Sequence, residues 1–366
     1  MKELFQTARA NGPAIVFIDE IHLLLQDKNE DFGTQLLTCM SGFEQSDQPI
    51  FVIVATNKSW IRWTSNGAFW RDGRFGEPIT LDLPSPEIRK EIIVDKFPEI
   101  FPCRPSSEHS ELLADLVGRT AFWNIPTLHK LFQETIQASD QREQGTNIIV
   151  AEDLRKALDT ILHPPCTGPD LTQPRDRTLT AWHEAGHALV HSLRFPDRRI
   201  DYLTIEPREN SLGYMAIIPD ETRHCPTKNE LKYCIQIAHA GRLAELQSLQ
   251  GKAHPDDVKN TGASSDIEKA SLYCRDAVLR FGFDDGEKGY GPFKYSHSLD
   301  IDDRLSAFAE GRVRVWSIEG QEAARQLLSD NHTALKAIAE ALLKNGYLHH
   351  NTVADIAKQH TTAPST

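Results

Sequence analysis

The segment TLTAWHEAGHALVHSL (178–193) constrains the fold more than any other stretch of the chain. Trp182, Ala185, Ala188, Leu189 and Val190 make it apolar on most sides, as a buried helix is. It nevertheless carries His183, Glu184 and His187. Buried polar groups need partners, so the remaining chain has to supply them around this helix. His183 and His187 stand four apart, which places both imidazoles on one helix face, a turn apart, where they can grip one ion. Glu184 can take a proton from a metal-bound water. Zinc lowers the pKa of such a water towards neutrality and polarises the peptide carbonyl under attack. The spacing therefore points to a zinc peptidase.

A catalytic zinc takes a third protein ligand and keeps one position open. The HExxHxxGxxH continuation is absent, because Val190 and Leu193 occupy the positions it would need. A downstream acid is the other source, and Glu206, Glu245 and Asp266 are candidates that spacing alone does not separate. His191, four residues beyond His187, is a rival ligand. It is read as a partly exposed helix residue, since its use would displace Glu184.

Continuous apolar runs occur at 14–18 (AIVFI), 50–55 (IFVIVA) and 79–83 (ITLDL). Runs of this kind, with helical sequence between, predict a parallel sheet covered on both faces. Residues 1–12 read as a helix. From 86 to 162 four helical stretches follow: IRKEIIVDKF, SSEHSELLADLVGRT, IPTLHKLFQETIQAS and AEDLRKALDTIL. The Pro-rich, polar stretch 163–177 reads as a linker. Beyond it the chain is helical except for strand-like sequence at 200–219, and the last amphipathic helices stop at Gly346. The fold class expected is α/β plus all-α. The expected division is an α/β region (1–85), a helical region (86–162), a linker (163–177) and a mainly helical region around the HExxH segment (178–360).

With a net charge of −12 and no basic stripe, a nucleic-acid partner is not expected. The six cysteines form no CxxC pair and read as reduced thiols of a cytoplasmic protein. No apolar run reaches the roughly 18 residues of a membrane helix. A segment upstream could still hold an anchor.

The motifs together resemble the FtsH family of membrane-bound AAA+ zinc proteases. HEAGHALV (183–190) is similar to the family's peptidase motif, GRLAEL (241–246) to its GRAAE helix, and TGASSDIEKAS (261–271) to its TGAxxDLxxAT segment. The resemblance makes Asp266 the third zinc ligand beside His183 and His187, with Glu184 as general base. It leaves Glu245 and Arg242 as helix-packing residues or a buried ion pair. SLGYMAIIP (211–219) resembles the strand along which substrate is laid.

The resemblance extends to the N-terminal part and makes 1–85 a truncated AAA+ ATPase core, 86–162 its helical lid and 178–360 the zinc metallopeptidase domain. AIVFIDE (14–20) resembles a Walker B strand, with Asp19 towards magnesium and Glu20 towards the attacking water. VIVATN (52–57) resembles the sensor-1 strand ending in Asn57. WRDGRFG (70–76) resembles the RPGRFD segment, making Arg71 and Arg74 arginine fingers that reach a neighbour's nucleotide. Two departures stand out. No GxxxxGK[ST] occurs, so the phosphate cradle is missing and the chain reads as a C-terminal fragment, a split gene or an internal start. The segment TAFWNIPTLHKLF (120–132) replaces an FSGAD-type sequence, and Gly76 replaces the Asp of RFD.

What the resemblance implies is an ATP-dependent zinc endopeptidase acting on unfolded or misfolded polypeptides. Zn²⁺ is its metal, and ATP with Mg²⁺ serves the complete protein. Its assembly would be a homo-hexameric ring or a pairing with a full-length AAA+ subunit. The alternatives are a peptidase working without ATP and an inactive assembly subunit.

Overall fold

A computed structural model describes residues 2–24, 35–39, 48–58, 75–102, 106–142, 148–164, 174–207, 212–222, 225–248, 261–286, 288–291 and 303–360. By its internal contacts the chain divides into two compact units, Met1–Asp82 and Leu83–Thr366.

In the first unit, helix Lys2–Ala10 leads into β1 (Ala14–Ile18), which pairs in parallel with β2 (Ile50–Val54). Side chains alternate across a pleated sheet. Val16 and Ile18 accordingly face a small core with Phe5, Ala8, Ile21 and Leu36. The other face differs from the expected covered sheet: Ile15, Phe17, Phe51 and Ile53 are all at least half exposed. Residues 79–83 also differ from expectation. They form no strand, and Ile79 and Leu81 are about nine-tenths exposed. An apolar run becomes a strand only where a neighbour completes its hydrogen bonds. Among the described residues 79–83 have no such neighbour.

The second unit begins with four helices: Pro86–Lys96, Ser107–Arg119, Ile125–Asp140 and Ala151–Leu162. Their starts follow capping chemistry. Ser85, Ser106 and Asn124 accept from the backbone amides of Ile88, His109 and Thr127, and a proline opens the first helix. Leu112, Leu116, Leu128, Leu131, Leu154 and Leu158 close a core of their own.

The remaining chain forms a mainly helical unit around the HExxH helix, Pro174–Arg194. That helix starts inside the stretch read as linker, with Pro174 at its first position, where a missing N–H costs nothing. Helix Lys228–Ser248 packs along it, flanked by Ser264–Arg275, Asp303–Asp330 and His332–Asn345. Gly346, with φ of 78°, ends the last of these in the left-handed region. A three-stranded antiparallel sheet completes the unit in the order β4 (Tyr214–Ile217), β3 (Ile200–Thr204), β5 (Tyr347–His349). The final helix is His350–His360. Most of the described residues are therefore helical, beside one small parallel sheet and one small antiparallel sheet.

Candidate metal centre

The HExxH helix is buried from Thr180 to His191 apart from His183, because it lies in the main core. Burial on this scale leaves its polar side chains dependent on the neighbouring helices. Helix Lys228–Ser248 provides for both imidazoles. His183 Nδ1 lies 2.6 Å from Glu245 Oε1, and His187 Nδ1 lies 2.7 Å from the carbonyl oxygen of Ile237. Each Nδ1–H can donate to its acceptor, which leaves each Nε2 lone pair free to bind a metal.

The two Nε2 atoms are 3.0 Å apart. Asp266, in the first turn of Ser264–Arg275, brings its Oδ2 to 3.0 Å from His183 Nε2 and 3.2 Å from His187 Nε2. His183, His187 and Asp266 are the one group among the described residues whose donor atoms converge in this way. Two nitrogens and one carboxylate oxygen, with the outward nitrogens already tethered, fit a catalytic zinc.

The electrostatics follow from this crowding. Burial disfavours a charged His183, but hydrogen bonds to Asp266 and Glu245 outweigh it and push its pKa up to about 10. Burial works in the opposite sense on Asp266, yet bonds from both imidazoles hold its carboxyl well below the usual carboxylate range. Glu184 is 7% exposed, and burial raises its pKa.

Two close approaches shape the site. A Cβ placed on Gly241 would come within 2.6 Å of His183 Nε2 and 2.5 Å of His187 Nε2. One on Gly213, just before β4, would lie 2.6 Å from both Cγ and Oε1 of Glu184. A Cβ on Gly186 of the HExxH helix would meet Ala244 Cβ at 2.6 Å and the Ala240 carbonyl oxygen at 2.7 Å. The two central helices thus touch through glycine and alanine.

Of the three acids left open by spacing, only Asp266 joins the ligand group. Glu245 is not merely a packing residue, since it orients His183. The sequence holds a trace of this role, because Glu245 adjoins the small residues Ala240, Gly241 and Ala244 that let two helices approach. His191 corrects the sequence reading. It is 1% exposed, not partly exposed, and its Nε2 faces the Arg198 carbonyl at 3.1 Å, away from the ligand group. Burial pushes its pKa down to about 4.

In the first unit, Asp19 and Glu20 end β1, and Asn57 lies just beyond β2. Glu20 has a φ of 48°. The Asn57 amide donates to Glu20 Oε1 at 3.3 Å, and the Glu20 backbone N–H donates to Asp19 Oδ1 at 2.8 Å. These groups gather at the carboxyl end of the parallel strands, where open α/β sheets bind ligands. Arg71 and Arg74 lie outside the described residues.

A family model described as peptidase family M41 matches residues 170–356. One described as the ATPase family associated with various cellular activities (AAA) matches residues 1–83. An ATP-dependent zinc metalloprotease FtsH from Pseudothermotoga lettingae is 30% identical over 98% of this chain and 58% of its own length. A protein of the same name from Thermus thermophilus is 32% identical over 92% of this chain and 52% of its own length. The chain spans about half the length of the curated relatives it matches.

Proposed function

The chain belongs to peptidase family M41, and from that premise we propose that it cleaves peptide bonds of unfolded polypeptides at a zinc ion held by His183, His187 and Asp266. The observation that carries this reading is the convergence of three donor atoms, 3.0–3.2 Å apart, with both imidazoles tethered from behind. Bound there, zinc would polarise the scissile carbonyl and make water acidic enough to attack near neutral pH. Glu184 then acts as general base. Its burial raises its proton affinity, which suits a carboxylate that takes a proton from water and passes it to the leaving amine. Glu245 and the Ile237 carbonyl hold the imidazole planes.

In the complete protein this peptidase would be coupled to ATP and Mg²⁺. Residues 1–85 then form the ATPase core, with Asp19, Glu20 and Asn57 at the nucleotide and Arg71 and Arg74 towards a neighbouring subunit. The four helices of 86–162 form its lid, and 178–360 the peptidase. Its assembly would be a ring of six copies or a pairing with a full-length AAA+ subunit. Among the described residues no helix is long and apolar enough to cross a membrane.

A second reading, peptide cleavage without ATP, draws on the ligand group lying wholly within the second unit. Metal analysis with a casein assay, with and without ATP, separates the readings. About one zinc per chain and cleavage indifferent to ATP are expected of the isolated chain. Cleavage that requires ATP would overturn the second reading. Absence of zinc would overturn both.

A further inference from the structure

Strand β4 is four residues long, and its two ends meet very different neighbours. At one end Gly213 abuts the Glu184 carboxylate so closely that a Cβ there would overlap Oε1. At the other end Ile218, Pro219 and Asp220 lead to Glu221, which is held by the helices of 86–162. Arg89, wholly buried on the first of those helices, donates from Nη1 to Glu221 Oε1 at 2.9 Å and from Nη2 to Glu221 Oε2. The backbone N–H of Phe122 donates to Glu221 Oε1 at 3.1 Å. Arg89 is itself fixed by the carbonyls of Pro84 and Val117. One carboxylate beyond β4 is therefore fastened to the first helix, to the turn after the second helix and, through Arg89, to the second helix's last turn.

The neighbouring strand is fastened to the same helices. Where β3 pairs with β4 the register slips by one residue between Ile200 and Tyr202. Such a bulge re-aims a side chain, and the extra residue is Asp201. Its buried carboxylate forms an ion pair with Arg119 Nε at 2.6 Å and lies 3.2 Å from His163 Nε2. The His163 ring stacks on Tyr202 at 4.2 Å between centroids. With β3 pinned at its start and β4 pinned just past its end, the pair cannot shift without breaking buried charged contacts.

We propose that Glu221 is a positioning residue for peptide cleavage: clamped by Arg89 and the Phe122 amide, it holds β4 so that Gly213 stays against Glu184. On this view the helices of 86–162 form part of the peptidase machinery, and any displacement of them reaches the general base through one short strand. The inference rests on the proposed function, in which Glu184 is that base.

The test uses the zinc-loaded full chain, a fluorogenic peptide and two variants. Glu221→Gln keeps the shape and loses the charge, while Arg89→Lys keeps the charge and loses the two-pronged fork. Glu221→Gln should lower kcat about tenfold, as small misplacements of reacting groups do, with KM little changed. Arg89→Lys, which gives up the fork and part of the hold on Pro84 and Val117, should lose at least as much. Both should keep the zinc content of the unaltered protein, and amide hydrogen exchange at 213–217 should quicken while that at 183–190 does not. An unchanged kcat or unchanged exchange at 213–217 overturns the proposal. Zinc lost in step with activity also overturns it, because the clamp would then merely support folding. If the unaltered protein cleaves nothing, the proposed function fails instead, and the exchange measurement still decides the clamp.

Discussion

The two units place their polar groups in opposite settings. At the ends of β1 and β2, Asp19 and Asn57 are exposed, and their contacts through Glu20 lie open to solvent. Around the HExxH helix each ligand is buried or nearly so, and the outward nitrogen of each imidazole has an acceptor within 2.7 Å. The sheet beneath the first group shows the same contrast, with one apolar face open, whereas the HExxH helix is enclosed by core. Solvent-exposed side chains keep their rotamers, and a site built from them is organised only when its ligand arrives. The buried site is organised by the fold beforehand.

The largest effect expected from this difference concerns chemistry. Glu184→Gln should keep zinc and lose on the order of 10² to 10⁴ in cleavage rate, the range for a general base. Asn57→Ala should leave cleavage of short peptides untouched. Near-normal cleavage by Glu184→Gln would show that the buried carboxylate is not the base. Next in size is the support of the buried region. Asp284 accepts from Arg312 Nε and Nη2, Trp316 Nε1 and the Tyr290 amide. Hydrogen bonds from Arg312, only partly opposed by burial, hold its pKa down at about 2. Asp284→Ala strands those donors and should destabilise the second unit by about 3 kcal/mol, as removal of one partner of a buried pair does. Calorimetry should show that loss without any change in the first unit.

A smaller effect is expected at Glu245. Glu245→Gln leaves His183 with a weaker acceptor behind it and should weaken zinc binding or activity by about 10- to 100-fold, as loss of an outer partner does. Equal zinc affinity in a competition titration would make the tether dispensable. The smallest effect is a slope against pH. His191 is buried and has a folded pKa of about 4, below its unfolded value near 6.5. A depressed folded pKa means the unfolded chain takes up the proton first. His191 therefore stabilises fully above about pH 6.5, and that contribution is lost as pH falls towards 4. Its share of the slope is at most ~1.4 kcal/mol per pH unit. Denaturant unfolding of His191→Gln should be flatter over that window, and an identical slope would show that His191 is not responsible.

How far the sequence foretold this depends on whether the signal was local. Helical pattern within each stretch of 86–162 was enough to read four helices, and three of them carry a capping side chain at their own start, Ser85, Ser106 and Asn124. Gly346 announced a stop in the same way. His183 and His187 were legible because their spacing is one turn of helix. Asp266 was not, since 83 residues separate it from His183 and only folding joins them. Resemblance to known sequences, not spacing, singled it out. Glu245 was read as a packing residue or half of a buried ion pair; it does pair, but with His183 at 2.6 Å, a partner 62 residues away that its own helix does not reveal. His191 was read as partly exposed because its use as a ligand would displace Glu184, an argument that says nothing about burial, and the Arg198 carbonyl that partners it lies beyond the helix. Residues 79–83 have strand composition without a strand partner, and composition cannot supply one.

The contact between Gly186 and the backbone at Ala240 has a consequence for how the metal centre can be altered. The gauge of that centre, the gap between two helix axes, is set by atoms that have no torsions to adjust. A site propped apart by leucines could absorb an extra methyl group by rotating side chains. Here the stop is a carbonyl oxygen against a glycine, so one added carbon must move a whole helix. Because Gly241 and the imidazoles share the same seam, that movement would arrive at the donor atoms undamped. The helices are in this sense the hinge-free jaws of a calliper, and Gly186→Ala would reset its reading without touching a single ligand.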